Sequence, residues 1–500
     1  MKLRKLAGTL AVCAAIGGGG GFVGAHAENL PDKIQRMEQE LEQMKQELQR
    51  QKEVQEKAQA EQRAKEQAAK PVTEASSLRE LTDRVKLGGY GSFRFEGSDL
   101  KDQKTSFVFR RLVLTADANI APHLRSYVEL EFERFRKLEI EKSFGPSATE
   151  QGIEATNHSE ISLEQAWMQY DIEDWLKFRG GGILVPLGRF NLNHDDNRWD
   201  LPRRSLIDRG VPVLPTTAAW DEIGLGFLGD INVSDQGELG YQVYVMNGVA
   251  LDSEFEQVVK DGKAVTEVKL SPSTGGFASD VKDSKAIAGR VAYSPALGHE
   301  LAGSWYYGQY TPDFLGKQDL WALSADGRTG RGPFELEGEF VLTRFDGTHT
   351  VAKELADTVH AMAPEASTAA FTLANLARNR YGYWVEARYR FWPAFLNETF
   401  LGRSFSNPQL IAVLRPEQAW LDDLIEEIDI GKAVTTSNRR VDRISVGLAY
   451  RPVPLVVFQL AYEYTRTDSG KSLATVTNFL PARAYENDAQ TVLVGIAFGF

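Results

Sequence analysis

Apolar and polar residues alternate with a period of two along most of the chain. In residues 85–96 the apolar Leu87 and Phe93 fall on one face of an extended strand, and Arg94 and Glu96 fall on the other. The same alternation recurs in residues 123–137 and near the end, in 455–467. Strands with one bulky apolar face and one polar face are typical of a barrel wall that separates an apolar surrounding from a polar interior.

The alternating segments predict sixteen strands between residues 85 and 500. They lie near residues 85–96, 105–118, 123–137, 160–172, 175–185, 220–231, 236–247, 284–294, 299–310, 317–326, 332–345, 379–392, 406–415, 441–451, 455–467 and 489–500. Short turns alternate with longer loops at 138–159, 186–219, 248–283, 346–378, 416–440 and 468–488. A helix is expected around Val351 to Arg378. We therefore predict an all-β transmembrane fold, a 16-stranded antiparallel outer-membrane barrel.

A secreted β-sandwich is the competing interpretation, because its strands also alternate. A sandwich buries each apolar face against a second sheet. Here consecutive hairpins and several strands of a dozen residues favour a barrel. Aromatic residues at strand ends, such as Tyr381, Trp384 and Trp392, suit the interfacial girdle of a membrane barrel.

The N-terminal residues differ in composition from the rest. Residues 1–27 have the basic start, apolar stretch and Ala-His-Ala end of a secretory signal peptide, and they contain Cys13, the only cysteine. In residues 28–70, apolar positions such as Leu30, Ile34 and Met37 follow heptad spacing, which predicts a short periplasmic coiled coil. One amphipathic helix lying on a domain is the alternative. Residues 71–84 are expected to form a linker.

Net charge and sequence motifs restrict the classes of function that this chain can have. The net charge of −12 argues against a nucleic-acid partner. No H-E-x-x-H or G-x-S-x-G motif occurs, so we expect neither an enzyme nor a cofactor. His194 beside Asp195 and Asp196 suggests a metal site. We expect these residues to lie in a solvated loop instead, and no metal is predicted.

Four segments resemble the phosphate-selective porin O/P-like family of outer-membrane channels. They are FVFRRLVLTADANI (107–120), EQAWMQYDI (164–172), RGGGILVPLGRFNL (179–192) and the terminal aromatic strand. The resemblance implies a trimeric 16-stranded channel whose third long loop folds inward to narrow the pore. It also implies lumenal arginines that attract phosphate.

Arginines in loop 186–219 and on the polar strand faces are the candidate pore and constriction residues, because guanidinium groups offer paired donors to phosphate or carboxylate. They are Arg94, Arg111, Arg125, Arg189, Arg198, Arg203, Arg204 and Arg209. The competing interpretation is that acidic neighbours neutralise each arginine, since Asp195, Asp196 and Asp200 share the loop.

The expected function is passive diffusion of small hydrophilic solutes, including anions such as phosphate, across the Gram-negative outer membrane. The expected surroundings are outer-membrane lipid and lipopolysaccharide, in a homotrimer. Two alternatives stay open: a structural adhesin or envelope tether, and a soluble secreted β-domain joined by its coiled coil.

The last predicted strand is QTVLVGIAFGF (490–500). Val492, Val494 and Phe500 lie on its apolar face, and this strand must pair with the first one because an open edge does not survive in hydrocarbon. A terminal aromatic residue also resembles the signal that the barrel-assembly machinery reads, so that machinery is an expected partner through Phe500.

Overall fold

The computed structural model describes residues 84–100, 104–133, 138–142, 151–155, 160–208, 213–260, 263–275, 280–362, 369–373, 376–428, 434–468 and 487–500. The predicted signal peptide and coiled coil, the linker up to residue 83 and the candidate Arg209 lie outside the described residues. They remain predictions.

Sixteen of the strands hydrogen-bond side by side, each antiparallel to its neighbours, and the set closes into a barrel. In chain order the barrel strands are β1 (Val85–Ser98), β2 (Ser106–Ala121), β3 (Leu124–Glu133), β6 (Glu160–Glu173), β7 (Leu176–Leu184), β8 (Asp221–Asn232), β9 (Glu238–Met246), β12 (Ala286–Ala296), β13 (His299–Gln309), β14 (Asp319–Arg331), β15 (Phe334–Phe345), β17 (Ala377–Phe391), β18 (Gln409–Glu427), β19 (Thr435–Val453), β20 (Val456–Thr467) and β21 (Asp488–Gly499). The predicted 16-stranded antiparallel barrel is confirmed.

Smaller elements lie in the connections. β4 (Leu138–Lys142) pairs with β5 (Gln151–Ala155), and β11 (Lys263–Ser273) lies between β10 (Ala250–Lys260) and β16 (Ala369–Leu373) in a second small sheet. Helix α1 is Arg189–Leu192 and helix α2 is Thr348–Met362. Single-turn 3-10 segments span Asp196–Arg198 and Ala394–Leu396.

The alternation read from the sequence separates inside from outside. In β1, Leu87 is 81% exposed on the outer surface, whereas Arg94 and Glu96 are buried inside the barrel. In β21, Val492 is 46% exposed and its neighbour Leu493 is fully buried. Because successive side chains of a strand point to opposite faces, one register fixes the environment of the whole strand.

The first and last strands form the seam of the barrel. Their register runs from Tyr90 opposite Gly499 to Ser98 opposite Thr491. The backbone of Phe500 extends the pairing, since its N–H donates to Gly89 O at 3.0 Å and its carbonyl accepts from Gly89 N at 3.2 Å. The predicted pairing of the terminal strand with the first one is therefore confirmed.

Two sequence expectations need correction. Strand β18 continues to Glu427, so most of the expected loop 416–440 is barrel wall. Pro416 and the polar pair Asp422 and Asp423 hide the alternation there, and Asp423 adopts a φ of 56° beside a register shift. The expected helix at 351–378 is shorter, ends at Met362 and is followed by β16.

The two ends of the barrel differ. At the short-turn end the connections are residues 122–123, 174–175, 233–237, 297–298, 332–333, 392–408 and 454–455. The other end, called the long-loop end, carries β4, β5, β10, β11, β16 and α2. Among the described residues, no helix is long and apolar enough to cross a membrane.

Candidate functional site: the inward loop and its cavity

The connection between β7 and β8 lies inside the barrel. We call its described residues, 185–208 and 213–220, the inward loop. Gly188 N donates to Ser304 Oγ of β13 at 2.9 Å, and Phe190 N donates to Glu339 Oε2 of β15 at 2.8 Å. On another side of the lumen, Arg94 of β1 donates to Pro202 O at 2.9 Å. The inward loop thus bridges distant parts of the wall.

Apolar burial holds the first part of the loop in place. Gly188 precedes α1 with a φ of 76°, a left-handed conformation that favours glycine. Phe190 stacks on Trp199 with ring centroids 5.0 Å apart, and both rings meet Trp384 of β17 at steep angles. We call Phe190, Trp199 and Trp384 the aromatic cluster. Burying a phenylalanine side chain such as that of Phe190 contributes about 1.5–3 kcal/mol.

Glycines in the wall allow the loop to approach closely. A Cβ atom at Gly495 would lie 2.8 Å from Pro202 Cβ, and one at Gly447 would clash with Leu201 Cδ2. Both contacts would be shorter than normal carbon contacts, so a larger residue would push the loop away from the wall. The sequence shows these glycines, but their contact with the loop follows only from the fold.

Four of the predicted arginines meet between the loop and the wall. Arg203 pairs with Glu96 of β1 and, at 2.7 Å, with Glu463 of β20. Arg94 lies 3.0 Å from the same Glu96. The other two, Arg111 and Arg204, share Asp196, with their Nε atoms 3.6 and 3.5 Å from its carboxylate.

Asp196 also accepts a hydrogen bond from Ser92 Oγ at 2.6 Å. Burial disfavours the charge of Asp196, but Arg111 and Arg110 hold the pKa of this carboxyl group below its usual range. Asp196 is therefore a charged anchor for the inward loop at neutral pH.

The remaining predicted arginines are separate from this group. Arg189 pairs with Glu337 and, at 2.6 Å, with Glu300. Arg125 makes a bidentate ion pair with Asp117, with both hydrogen bonds at 2.7 Å, near the short-turn end. Arg198 is 57% exposed and lies 2.9 Å from Asp195. All seven described candidates have an acidic partner, as the competing interpretation expected.

Sequence reasoning missed three arginines that hold the loop. Arg415 donates to Arg203 O at 2.6 Å, and Arg443 donates to Arg204 O at 3.2 Å. Arg451 binds Asp200 at 2.7 Å. Their inward positions follow from the alternation of side chains along each strand, and for Arg443 the sequence shows that alternation. For Arg415, the same inward face carries the apolar Ile411 and Val413, which obscured the pattern.

A cavity of about 930 Å³ opens at the short-turn end, on one side of the inward loop. Its lining includes the exposed guanidinium of Arg198 and, on the wall, Arg328 and Arg390. Glu335 lies 3.1, 2.7 and 2.9 Å from Arg328, Arg388 and Arg390, so one carboxylate is shared by three guanidinium groups. Arg388 is also paired with Glu337, Glu386 and Asp200. The guanidinium groups that stay partly exposed at this part of the lining are therefore those of Arg328 and Arg390.

His194 is a buried residue of the inward loop, not a solvated one. Its Nδ1 lies 2.8 Å from Asn191 O and its Nε2 lies 3.4 Å from Glu164 Oε2. Burial alone would lower the pKa of His194, but Glu164 raises it to about 10, so the ring is charged at neutral pH. Among the described residues, no three His, Cys, Asp or Glu side chains are grouped to hold a metal ion.

At the long-loop end, described side chains of the loops pack into the apolar core. Val351 and Leu355 of α2 are buried in the same apolar core as the inward loop. The buried carboxylate of Glu222 accepts hydrogen bonds from Trp220 Nε1, Gly248 N and Gly275 N at 3.0–3.1 Å. It thereby ties the end of the inward loop to the connections that flank β10 and β11.

Comparison with known proteins finds matches of low similarity. No family profile matches the chain. An uncharacterized protein of Aquifex aeolicus (strain VF5) is 28% identical over 220 residues, which cover 44% of this chain. The match covers 43% of that relative, so the chain matches less than half of its length.

Three solved structures are among those that match the chain with low similarity. The anion-selective porin from Comamonas acidovorans is 12% identical, with 83% of this chain and 99% of that one covered and a TM-score of 0.44. The channel DcaP of Acinetobacter baumannii is 9% identical, with 83% and 97% covered and a TM-score of 0.44. The trimer form of OmpT from Vibrio cholerae is 11% identical, with 84% and 100% covered and a TM-score of 0.42. The strand pairing itself remains the basis for the fold, and membership of the phosphate-selective family remains a prediction.

Proposed function

We propose that this protein is an outer-membrane channel for passive diffusion of small hydrophilic solutes. The observation that carries the proposal is the closed barrel with an apolar outer face and a charged interior. Leu225, Val245, Leu323 and Val446 are each about half exposed on the outside. A soluble protein rarely exposes so continuous an apolar surface, and a closed barrel satisfies its backbone hydrogen bonds without water.

The export signal, the periplasmic coiled coil, the homotrimer and the contact with lipopolysaccharide belong to the same proposal. They rest on the sequence patterns of residues 1–84 and on the resemblance described above. Recognition of the terminal strand by the assembly machinery also belongs here, since a closing strand that ends in an aromatic residue suits such a signal.

The solute preference that we propose is for small anions, with phosphate as the specific candidate. The exposed guanidinium groups at the cavity support it, because Arg328 and Arg390 share Glu335 with a third arginine. Side chains at a narrow site focus the local field, so the net charge of −12 does not decide selectivity.

Reconstitution of the purified protein into planar bilayers tests both levels of the proposal. We expect stepwise conductance, and in a salt gradient we expect a reversal potential of the sign set by anions. Detergent without protein is the control. If no steps occur, the channel proposal is wrong; if the reversal potential shows cation preference, only the anion preference is wrong.

A structural role, as an adhesin or envelope tether, is the second candidate. The inward loop favours it, because a protein that only presents surface loops and a periplasmic segment needs no passage through its barrel. Loss of cell adhesion or envelope integrity in a deletion strain, together with absent conductance, would support this role.

A further inference from the structure

The cavity at the short-turn end stops at an apolar layer. Trp199 lines the cavity but is only 5% exposed, and the fully buried rings of Phe190 and Trp384 lie behind it. A hydrated ion that moves from the cavity toward the long-loop end meets this aromatic cluster, which offers no groups to replace its water.

The polar side of the inward loop is also closed. Arg203 and Glu463, which join the loop to β20, are 7% and 1% exposed. At the neighbouring wall, Leu206 N donates to Glu417 Oε1 at 3.2 Å and Arg443 donates to Arg204 O. In this conformation the inward loop therefore fills both the apolar and the charged part of the barrel's cross-section.

On this polar side of the inward loop, some buried polar atoms lack a hydrogen bond. Arg204 Nη2 and Arg443 Nη2 are buried, and neither atom makes a hydrogen bond within the described part of the chain. Glu417 Oε2 also makes no hydrogen bond there and has an ion pair with Arg443 Nη1 at 3.6 Å. Buried charged groups without full hydrogen bonding are costly, and displacement of the loop would expose them to water. This cost offsets part of the stabilisation from the aromatic cluster and the Arg203 ion pairs, and it lowers the free energy needed to reach a displaced position.

We propose that the inward loop is the gate of the channel and that the described conformation is its closed state. This inference rests on the proposed channel function and assigns its regulation to the same site. When the loop leaves the wall of β18–β21, the passage that opens is lined by Arg94, Arg443 and Glu463, and the solute no longer crosses the aromatic cluster.

A disulfide between loop and wall tests the gate. Pro202→Cys with Gly495→Cys is suitable, because a Cβ at Gly495 lies 2.8 Å from Pro202 Cβ and a shift of about 1 Å gives disulfide geometry. Cys13, in the predicted signal peptide, is the only competing cysteine. We expect the oxidised variant to lose its conductance steps and a reducing agent to restore them. Pro202→Ser with Gly495→Ser is the matched control and should conduct under both conditions.

Each outcome decides one point. If the oxidised variant, its disulfide verified by mass spectrometry, conducts like the reduced one, the gate is overturned and the channel stands. If the wild type also lacks conductance under both conditions, the channel proposal itself fails. Asn197→Cys with Gly499→Cys is a second lock, since a Cβ at Gly499 lies 2.9 Å from Asn197 Nδ2. It replaces the first lock if that variant does not give a heat-modifiable, folded barrel.

Discussion

Replacing Arg203 by methionine should destabilise the folded barrel far more than the same change at Arg198. Arg203 is buried between Glu96 and Glu463, so Arg203→Met leaves two buried carboxylates with less compensation. Loss of one member of a buried ion pair costs about 3–5 kcal/mol. Glu96 keeps Arg94 at 3.0 Å and Glu463 keeps Ser445 Oγ at 3.3 Å, so we expect the lower end, about 3 kcal/mol.

Arg198→Met is the matched control in the same loop. The side chain of Arg198 is 57% exposed, and ion pairs of exposed side chains contribute only about 0–1 kcal/mol. The assay is urea unfolding of both variants and the wild type in lipid vesicles, followed by tryptophan fluorescence. If Arg203→Met loses no more free energy of unfolding than Arg198→Met, the ion pairs do not anchor the loop. Adding Glu463→Gln to Arg203→Met should recover part of the loss.

Three further predictions follow from single contacts. Glu335→Gln should shift the reversal potential toward anions, because it frees guanidinium charge at the cavity; the exposed Glu238→Gln should not. The pKa of His194 rises from 6.5 to about 10, so its charge-linked stabilisation is complete below about pH 6.5 and lost as the pH rises through 10. The difference in unfolding free energy between wild type and His194→Gln should therefore shrink over that range, and a constant difference would contradict the Glu164 pair. Deleting Phe500 removes two backbone hydrogen bonds to Gly89 and should lower the yield of heat-modifiable barrel without changing unitary conductance, whereas Phe500→Ala should retain the backbone pairing.

The barrel could be predicted because strand parity is a local property. The alternation of Phe93 with Arg94 already determines which side chain faces inward, and the same rule applies to each strand with a clear pattern. The prediction fails where polar residues interrupt the pattern, as around Asp422 and Asp423 in β18. There the continued ladder with β19 decides the conformation, and that pairing is tertiary.

The site was only partly predictable for a related reason. Parity places Arg94 and Glu96 in the lumen, but it does not show that Arg203 will reach Glu96 and Glu463 from the inward loop. Such triads join residues from distant parts of the chain, and their geometry depends on the path of the loop. His194 shows the same limit, since its buried partner Glu164 lies on another element.

The seam between β1 and β21 has a consequence for the timing of folding. Its partners, such as Tyr90 and Gly499, lie at opposite ends of the described barrel sequence. Until the last strand arrives, every partly assembled sheet has two strand edges with unpaired backbone groups. For a barrel that functions in hydrocarbon, such an intermediate cannot wait inside the lipid. Closure and membrane insertion must therefore be one coupled event, and the slow search for the final strand must take place outside the membrane core or on a catalyst that pairs both edges.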